Sequence, residues 1–568
     1  MKMEDAYLDV LMPANVAVEA MQRAGLPVDV SKIQAARVKW REEVARLEAF
    51  VEECSREVGK EIKYSENHSV DPRKMAAFLY DGLGLTPGGD DEIGATTEGG
   101  GRSTSEEALV QYASLKVPRL KGMPKVESGE YPPDNEIVRA VLMIRSLAGA
   151  STRYLDAFER TCRADGACHP KFNWALRTAR LSAENPPVHQ IPERANKAVA
   201  DAIKSCFVPR RNPAPADEAW DPRKHGSVWR WDIAGAEAAI RAGMFAWQAK
   251  NGKGTYADGP KMSANLDLIA YPYIQSGGDL HSKTASLIYG VPEGTYVKGS
   301  HERDSVGKPT FFAKIFGATP NTVRMQIRTE ARYFLSADQA TEICENFDDG
   351  YLDITQLYWI DMWKVWKQGF CQDAYGRRRS VAPPPGVEKA KVWRWDHKND
   401  RGRADLARNF FVPKGEKKLW YQLNEAFHTA ANTPTQSTNA WDTMFMLALT
   451  YHGEYVPLRV PPVWERLGLD FPEAAGWAMN EGPGPGGKPM LSWYSNTVHD
   501  SGWGDCAPGY LEPTAKLVWR RCQAVPLDMR LEADVPYRID LSVGPHFGDL
   551  RPYNAVAREF GLEPLPKR

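Results

Sequence analysis

The chain has 568 residues, a formal net charge of −1, 43% hydrophobic and 26% charged residues. That balance excludes an intrinsically disordered chain, and the length suggests about two to four substructures rather than one compact core. No apolar run reaches the roughly 18 residues of a membrane span, and the acidic start MKMEDAYLDVLMPANVAVEAM lacks the apolar core of a secretory signal. A cytoplasmic location is therefore expected (the host cytoplasm if the chain is viral).

From the N-terminus, SKIQAARVKWREEVARLEAFVEECSREVG predicts a helix that begins at a Ser31 cap, with apolar residues at helical spacing. DPRKMAAFLYDGLGL predicts a shorter helix ended by Gly82 and Gly84. A Gly-rich loop closes on a capping signal at Ser103–Glu107, and a long helix is expected from about Asn135 to about Arg163. The pattern changes near residue 168. Runs at 228–235 (VWRWDIAG), 493–500 (WYSNTVHD) and 515–525 (AKLVWRRCQAV) are rich in β-branched and aromatic residues and predict strands, with a long helical stretch over 280–370 between the first two. Strands drawn from distant segments, with helices inserted, point to an α+β sheet. The stretches 381–389 and 480–489 are Pro/Gly-rich and predict surface loops.

The near-zero net charge does not advertise a polyanion partner, yet basic clusters stand at 177–180, 209–211, 376–379 and 519–521. The eight cysteines include no Cys-x-x-Cys pair. Cys162, Cys168 and His169 come nearest to a ligand cluster, but no partner pair follows at zinc spacing, so reduced thiols are expected. Asp232 and Asp500 each end a strand-like run. Adjacent strands can bring two such carboxylates together to hold a pair of hard divalent ions about 3.5–4 Å apart for phosphoryl transfer, although a lone Asp at a strand end is more often a turn former. Lys308, Phe312 and Phe316 lie four apart and share one helix face.

These segments resemble, in order, the motifs of family A (DNA polymerase I-like) DNA polymerases. LRTARLSAENPPVHQIP (176–192) is similar to TGRLSS-x-x-PNLQNIP, and WDIAGAEAAIRA (231–242) to D-x-S-x-x-E-x-R. GGDLHSKTA (277–285) resembles D-x-H-x-x-TA, and RDSVGKPTFFAKIFGAT (303–319) resembles R-x3-K-x3-[FY]-x3-YG. GRRR (376–379), NTPTQSTNA (432–440) and TVHDS (497–501) resemble GRRR, N-x-P-x-QGTAAD and VHDE; STRYL (151–155) sits where the family has STY. The resemblance covers nearly the whole chain.

It implies a right-hand polymerase fold with an antiparallel-sheet palm, helical fingers and a helical thumb: thumb and N-terminal helices over 1–165, palm over 166–245, fingers over 246–424 and palm again over 425–568. It also implies a template-directed DNA polymerase with primer-template DNA and dNTPs as partners, and no membrane. Accessory proteins of replication are not specified. Asp232, Asp500 and the Ile233 carbonyl would hold two Mg2+ ions, with Mn2+ as a substitute. Lys308, His281 and Arg303 would meet the triphosphate, Glu237 would exclude a 2′-hydroxyl, and Phe312 and Phe316 would pack on the incoming sugar and nascent pair. Arg180, Asn432, Gln436 and His499 would read the minor groove, whose acceptors recur at similar places in every base pair. Gln190 would touch the template and Tyr154 the duplex from the thumb side. Several positions depart from the pattern: Arg303 stands five rather than four residues before Lys308, Ala239 replaces an arginine, and Ser501 replaces the acid after His-Asp. The chain opens on thumb-like helices, so no proofreading exonuclease is expected within it, a compact form that resembles a phage enzyme. A single-subunit RNA polymerase-like enzyme and an inactive DNA-binding subunit are the alternatives. The stretches 381–415 and 455–490 match no family segment.

Overall fold

The computed structural model describes residues 7–85, 102–109, 136–174, 179–191, 197–251, 269–331, 335–381, 388–389, 410–411, 417–452, 471–498, 500–523 and 538–566. The N-terminal part is built on helices whose buried residues recur at the 3.6 period. α1 (Met12–Ala24) buries Ala14, Ala17, Val18 and Met21 and stops at Gly25, which turns at φ +67°. α2 (Val30–Glu57) packs Ile33, Trp40, Val44, Leu47 and Val51 inward. Its cap is Asp29, not the expected Ser31: the Asp29 carboxylate accepts from the Ser31 and Lys32 amides at 3.0 and 3.2 Å, and the Ser31 hydroxyl itself donates to it. A carboxylate at this end both caps and complements the helix dipole, so it sets the boundary.

The long helix expected over 135–163 is present as α3 (Glu136–Ala150), a π turn at Ser151–Leu155, and α4 (Asp156–Thr161). Ser151-Thr152-Arg153-Tyr154 holds one residue more than the Ser-Thr-Tyr it resembles, and a widened turn absorbs one extra residue without rotating the rest of the helix out of its packing.

The sheet follows. β1 (Ser227–Ile233) alternates: Trp229 and Trp231 are fully buried, whereas Arg230 and Asp232 open to the other face. Between it and the next strand lie α5 (Ala236–Asn251), α6 (Leu280–Tyr289), α7 (Lys308–Ile315), α8 (Leu352–Gln368) and α9 (Lys417–His452). β2 (Ser492–Val498) and β3 (Ser501–Cys506) form a hairpin, α10 (Leu511–Gln523) crosses, and β4 (Ile539–Gly544) and β5 (Arg551–Pro552) close the sheet. The order is β2-β3-β1-β4-β5, antiparallel throughout. Gly502 and Gly504 of β3 lie over the indoles of Trp231 and Trp229; a Cβ on Gly504 would stand 2.2 Å from the Trp229 ring, so only glycine lets these two strands close.

The strand expected over 515–525 is instead α10. Its β-branched and aromatic residues suggested a strand, but the apolar positions Leu511, Ala515, Val518 and Cys522 recur at helical spacing and are buried. The basic cluster at 519–521 is likewise no solvated face. Arg520 and Arg521 are buried, and the Arg521 guanidinium donates to the Ala474, Ala475 and Trp477 carbonyls. Arg210, from the cluster at 209–211, is bound to the buried Asp505 of β3 at 2.9 Å.

One hydrophobic cluster runs from the N-terminal helices through the sheet to α9 and α10. A second joins Ala238 and Ala242 of α5 to Leu280 of α6, Phe311 and Ile315 of α7 and Ile354 of α8, so the helical block packs on the helix that leaves β1. All eight cysteines are unpaired. Cys162 faces Cys168 across an antiparallel bridge, and His169 is held between the Gln22 carbonyl and Asp165. No helix among the described residues is long and apolar enough to cross a membrane.

Candidate active site

The site begins where β1 ends. Gly235, at φ +68°, turns the chain from the strand into α5 and sets Glu237 in its first helical turn. The β2–β3 hairpin brings Asp500 alongside: its carbonyl accepts the Ile233 amide at 3.0 Å, and Ser501 sits directly opposite Asp232. On the other flank Asp540 of β4 is also directly opposite Asp232. Carboxylates drawn from three segments thus meet at one end of the sheet. Arg180 joins them through a 2.9 Å ion pair with Glu237, and Arg230 reaches Asp232 at 3.1 Å.

Burial, then the neighbouring Asp232 and Glu237 carboxylates, push the Asp500 carboxyl well above the usual range, against the pull of Arg180. An excess of negative charge in a partly desolvated corner suits a hard divalent cation, which would remove the repulsion that otherwise holds a proton there. Among the described residues no group of three or more His, Cys, Asp or Glu is arranged as a metal cage. Two carboxylates that leave positions for water and phosphate oxygens are the donor set Mg2+ accepts, so the residues fit that ion.

The second part of the site is a helix face. From 308 to 316 every residue is buried except Lys308, Phe312 and Phe316, the three singled out by their spacing. The Lys308 ammonium lies 5.8 Å from the Phe312 ring centroid, and the buried His281 ring packs 5.1 Å from the same ring. The five-residue step from Arg303 to Lys308 is explained by a π turn at Glu302–Gly307, which spends the extra residue before α7 begins. Arg303 is buried and committed to Asp279 at 2.6 Å and to Asp304. Asp279 in turn caps α6, accepting the His281 amide at 2.9 Å. Burial pushes the Asp279 carboxyl up, but Arg303 outweighs it and holds it below the usual range.

The third part is α9, on which residues 430–450 are all buried except Asn432 and Gln436, one turn apart. His428, a turn earlier, donates from Nδ1 to the Phe316 carbonyl (3.0 Å), so this face continues from the end of α7. Among the described residues the buried Asn432 side-chain oxygen meets no hydrogen-bond partner. Gln190 is exposed on a single 3-10 turn. Tyr154 is not at the surface: it is buried, packs on Phe158 and donates its hydroxyl to the Gln190 carbonyl, so it backs the Gln190 turn rather than facing a duplex itself. His499 lies outside the described residues, as does most of 381–415 and of 455–470. Sequence reasoning missed Arg230 and Asp540; only strand register could have found them.

No family model matches the chain. It is 28% identical over 379 residues to a thermostable DNA polymerase I of Thermus filiformis, and 23% identical over 379 residues to that of Thermus aquaticus, in each case across 66% of this chain. Along these segments the chain is similar to DNA polymerases of the DNA polymerase I type. It spans just over a third of those relatives, 36% of their length. The DNA polymerase of Escherichia phage T5 is a further relative, 26% identical over 39% of this chain and 22% of that protein. Among solved structures, the POL domain of Pol1 from M. smegmatis, in a complex with DNA primer-template and dNTP, superposes with a TM-score of 0.62 over 95% of this chain and 70% of that one, at 17% identity. The family's α+β right-hand polymerase fold, with its antiparallel sheet and helical surround, is therefore the fold of this chain.

Proposed function

We propose that this chain is a template-directed DNA polymerase that adds dNTPs to a primer 3′-hydroxyl by two-metal phosphoryl transfer. The observation that carries the reading is the meeting of Asp232, Asp500 and Glu237 at one sheet end, on a helix that packs directly against the helix presenting Lys308, Phe312 and Phe316. The sheet would be the palm, the block over 246–424 the fingers, and the N-terminal helices the thumb.

Asp232, Asp500 and the Ile233 carbonyl would hold the divalent ions. Those ions supply a lowered pKa at the 3′-hydroxyl and charge neutralisation on the triphosphate. Lys308, half-buried with its ammonium 5.8 Å from the Phe312 ring centroid, supplies a further charge on the triphosphate. His281 packs behind Phe312 and fixes the ring against which the incoming sugar rests. Glu237, held by Arg180, closes the space below the sugar. Gln190, Asn432 and Gln436 face the duplex, with His499 as a further minor-groove donor. Arg303 acts by fixing Asp279 and the start of α6 in this arrangement.

On this reading the chain carries no internal proofreading exonuclease, so the purified chain should extend a mismatched primer terminus without trimming it. The test is primer extension on a defined template with Mg2+, comparing dNTPs with rNTPs and wild type with Asp232→Ala. Template-matched extension with dNTPs alone, lost in the variant, supports the reading. Extension with rNTPs alone points to an RNA polymerase-like enzyme, and no extension by a folded, DNA-binding chain points to an accessory subunit.

A further inference from the structure

Two side-chain contacts tie the strand beside Asp232 to the helical block. Lys298 lies in the turn before the π turn, and its ammonium meets the Asp540 carboxylate at 2.6 Å. Arg538, two residues earlier on the same strand entry, donates to the Gly277 carbonyl at 3.1 Å. On the strand side the link is rigid. Asp540 is directly opposite Asp232, and the Arg538 carbonyl accepts the Ala234 amide at 2.8 Å. On the helical side it is rigid too. The Gly299 amide donates to Asp304 at 3.0 Å; Asp304 pairs with Arg303, and Arg303 with the Asp279 cap of α6. Lys298 is thus coupled, through Asp304 and Arg303, to the π turn that sets where Lys308 points.

On the polymerase reading above, we propose that Lys298 and Asp540 are positioning residues for nucleotide addition, their ion pair drawing the start of the nucleotide helix toward Asp232. The placement accounts for a charge pattern that is otherwise unfavourable. Like charges directly opposite on antiparallel strands repel. Here each of the two carboxylates is answered by a cation from a different place, Asp232 by Arg230 of its own strand and Asp540 by Lys298 of the fingers. Both partners of the Lys298 pair are well exposed, 72% and 46%, so the contact is weak enough to form and release within a catalytic cycle. It joins the strand beside Asp232 to the turn that precedes the π turn and α7, so the formed pair would favour the arrangement that brings the two together around a nucleotide.

The experiment is a double-mutant cycle on the full chain with Lys298→Met, Asp540→Asn, both together, and the charge exchange Lys298→Asp with Asp540→Lys. Each single change should raise the KM for dNTP about two- to fivefold, the range of an exposed pair, and leave kcat close to wild type. The double variant should be no worse than either single one, and the exchange should restore KM. Hydrogen exchange of amides 299–308 should quicken in both single variants, a readout independent of activity. Unchanged exchange with unchanged KM overturns the proposal, as do effects that simply add or a KM that falls. A lower Mn2+ affinity in Asp540→Asn alone, measured by EPR without DNA or nucleotide, also overturns it, since Asp540 would then serve the metal rather than the fingers. A wild-type chain that does not extend a primer, yet loses exchange protection at 299–308 in both variants, would keep the clasp and reject the polymerase reading.

Discussion

The sheet end and the helix face are assembled on opposite plans. Asp232, Asp500 and Asp540 come from three separate segments and meet only through strand register, where each hydrogen-bonded rung fixes the next. Lys308, Phe312 and Phe316 come from one segment and need only the helical repeat to share a face. The sheet end gathers like charges, and burial first, then the Asp232 and Glu237 carboxylates, pushes the Asp500 carboxyl well up. The helix face is relaxed, its hidden side anchored by Lys314 in a buried 2.9 Å pair with Asp348. On the polymerase reading, the chemistry would sit where paired strands gather like charges, and recognition on the face of a single helix.

If that division holds, the largest loss follows from the sheet end. Asp232→Ala or Asp500→Ala should lower nucleotide addition on the order of a thousandfold or more, as removal of a metal-holding carboxylate costs several kcal/mol of transition-state stabilisation. Duplex binding, measured by fluorescence anisotropy, should survive. Synthesis at the wild-type rate by either variant would end the metal assignment.

The two lysines of α7 separate structure from function on a single helix. Lys314→Ala leaves Asp348 buried without its cation, with the Thr355 hydroxyl still donating at 3.1 Å, and should cost about 3–5 kcal/mol of stability, seen as a clear fall in the thermal midpoint. Lys308→Ala should leave the midpoint unchanged and raise the KM for dNTP, a loss of about 1.5–3 kcal/mol for hydrogen bonds to charged phosphate. Matching effects from the two substitutions would erase the distinction between the anchored and the open face.

The same contrast explains what was legible in the sequence. The open face of α7 could be read from spacing, because a helix carries its neighbours within one segment, whereas Asn432 and Gln436 of α9 came through the family resemblance. Asp232 and Asp500 were visible as strand ends and through the family resemblance, but their company was not. Asp540 lies about 40 residues beyond Asp500 in an unremarkable alternation, Ile-Asp-Leu-Ser-Val, and its place opposite Asp232 depends on which strands pair. The misassigned strand at 515–525 shows the converse. Local composition favoured a strand, yet the helix buries Leu511, Ala515, Val518 and Cys522 together, and tertiary packing outweighs propensity. The π turn at Glu302–Gly307 was foreshadowed only as an awkward count between Arg303 and Lys308.

The smallest expected effect lies at the seam between the two plans. Glu237 starts the helix that leaves the sheet and packs against α7, and it is mostly enclosed, 14% exposed, with Arg180 as its partner. If its bulk excludes a 2′-hydroxyl, Glu237→Ala should raise ribonucleotide incorporation by about 1–3 kcal/mol in relative kcat/KM, the scale on which a pocket discriminates small groups. Glu237→Gln separates bulk from charge. It keeps the size and loses the ion pair, so discrimination should persist if sterics alone act, and should relax part-way if Arg180 is needed to hold the side chain in place. An unchanged dNTP/rNTP ratio in Glu237→Ala would remove the residue from sugar selection and leave it as a helix-start anchor for Arg180.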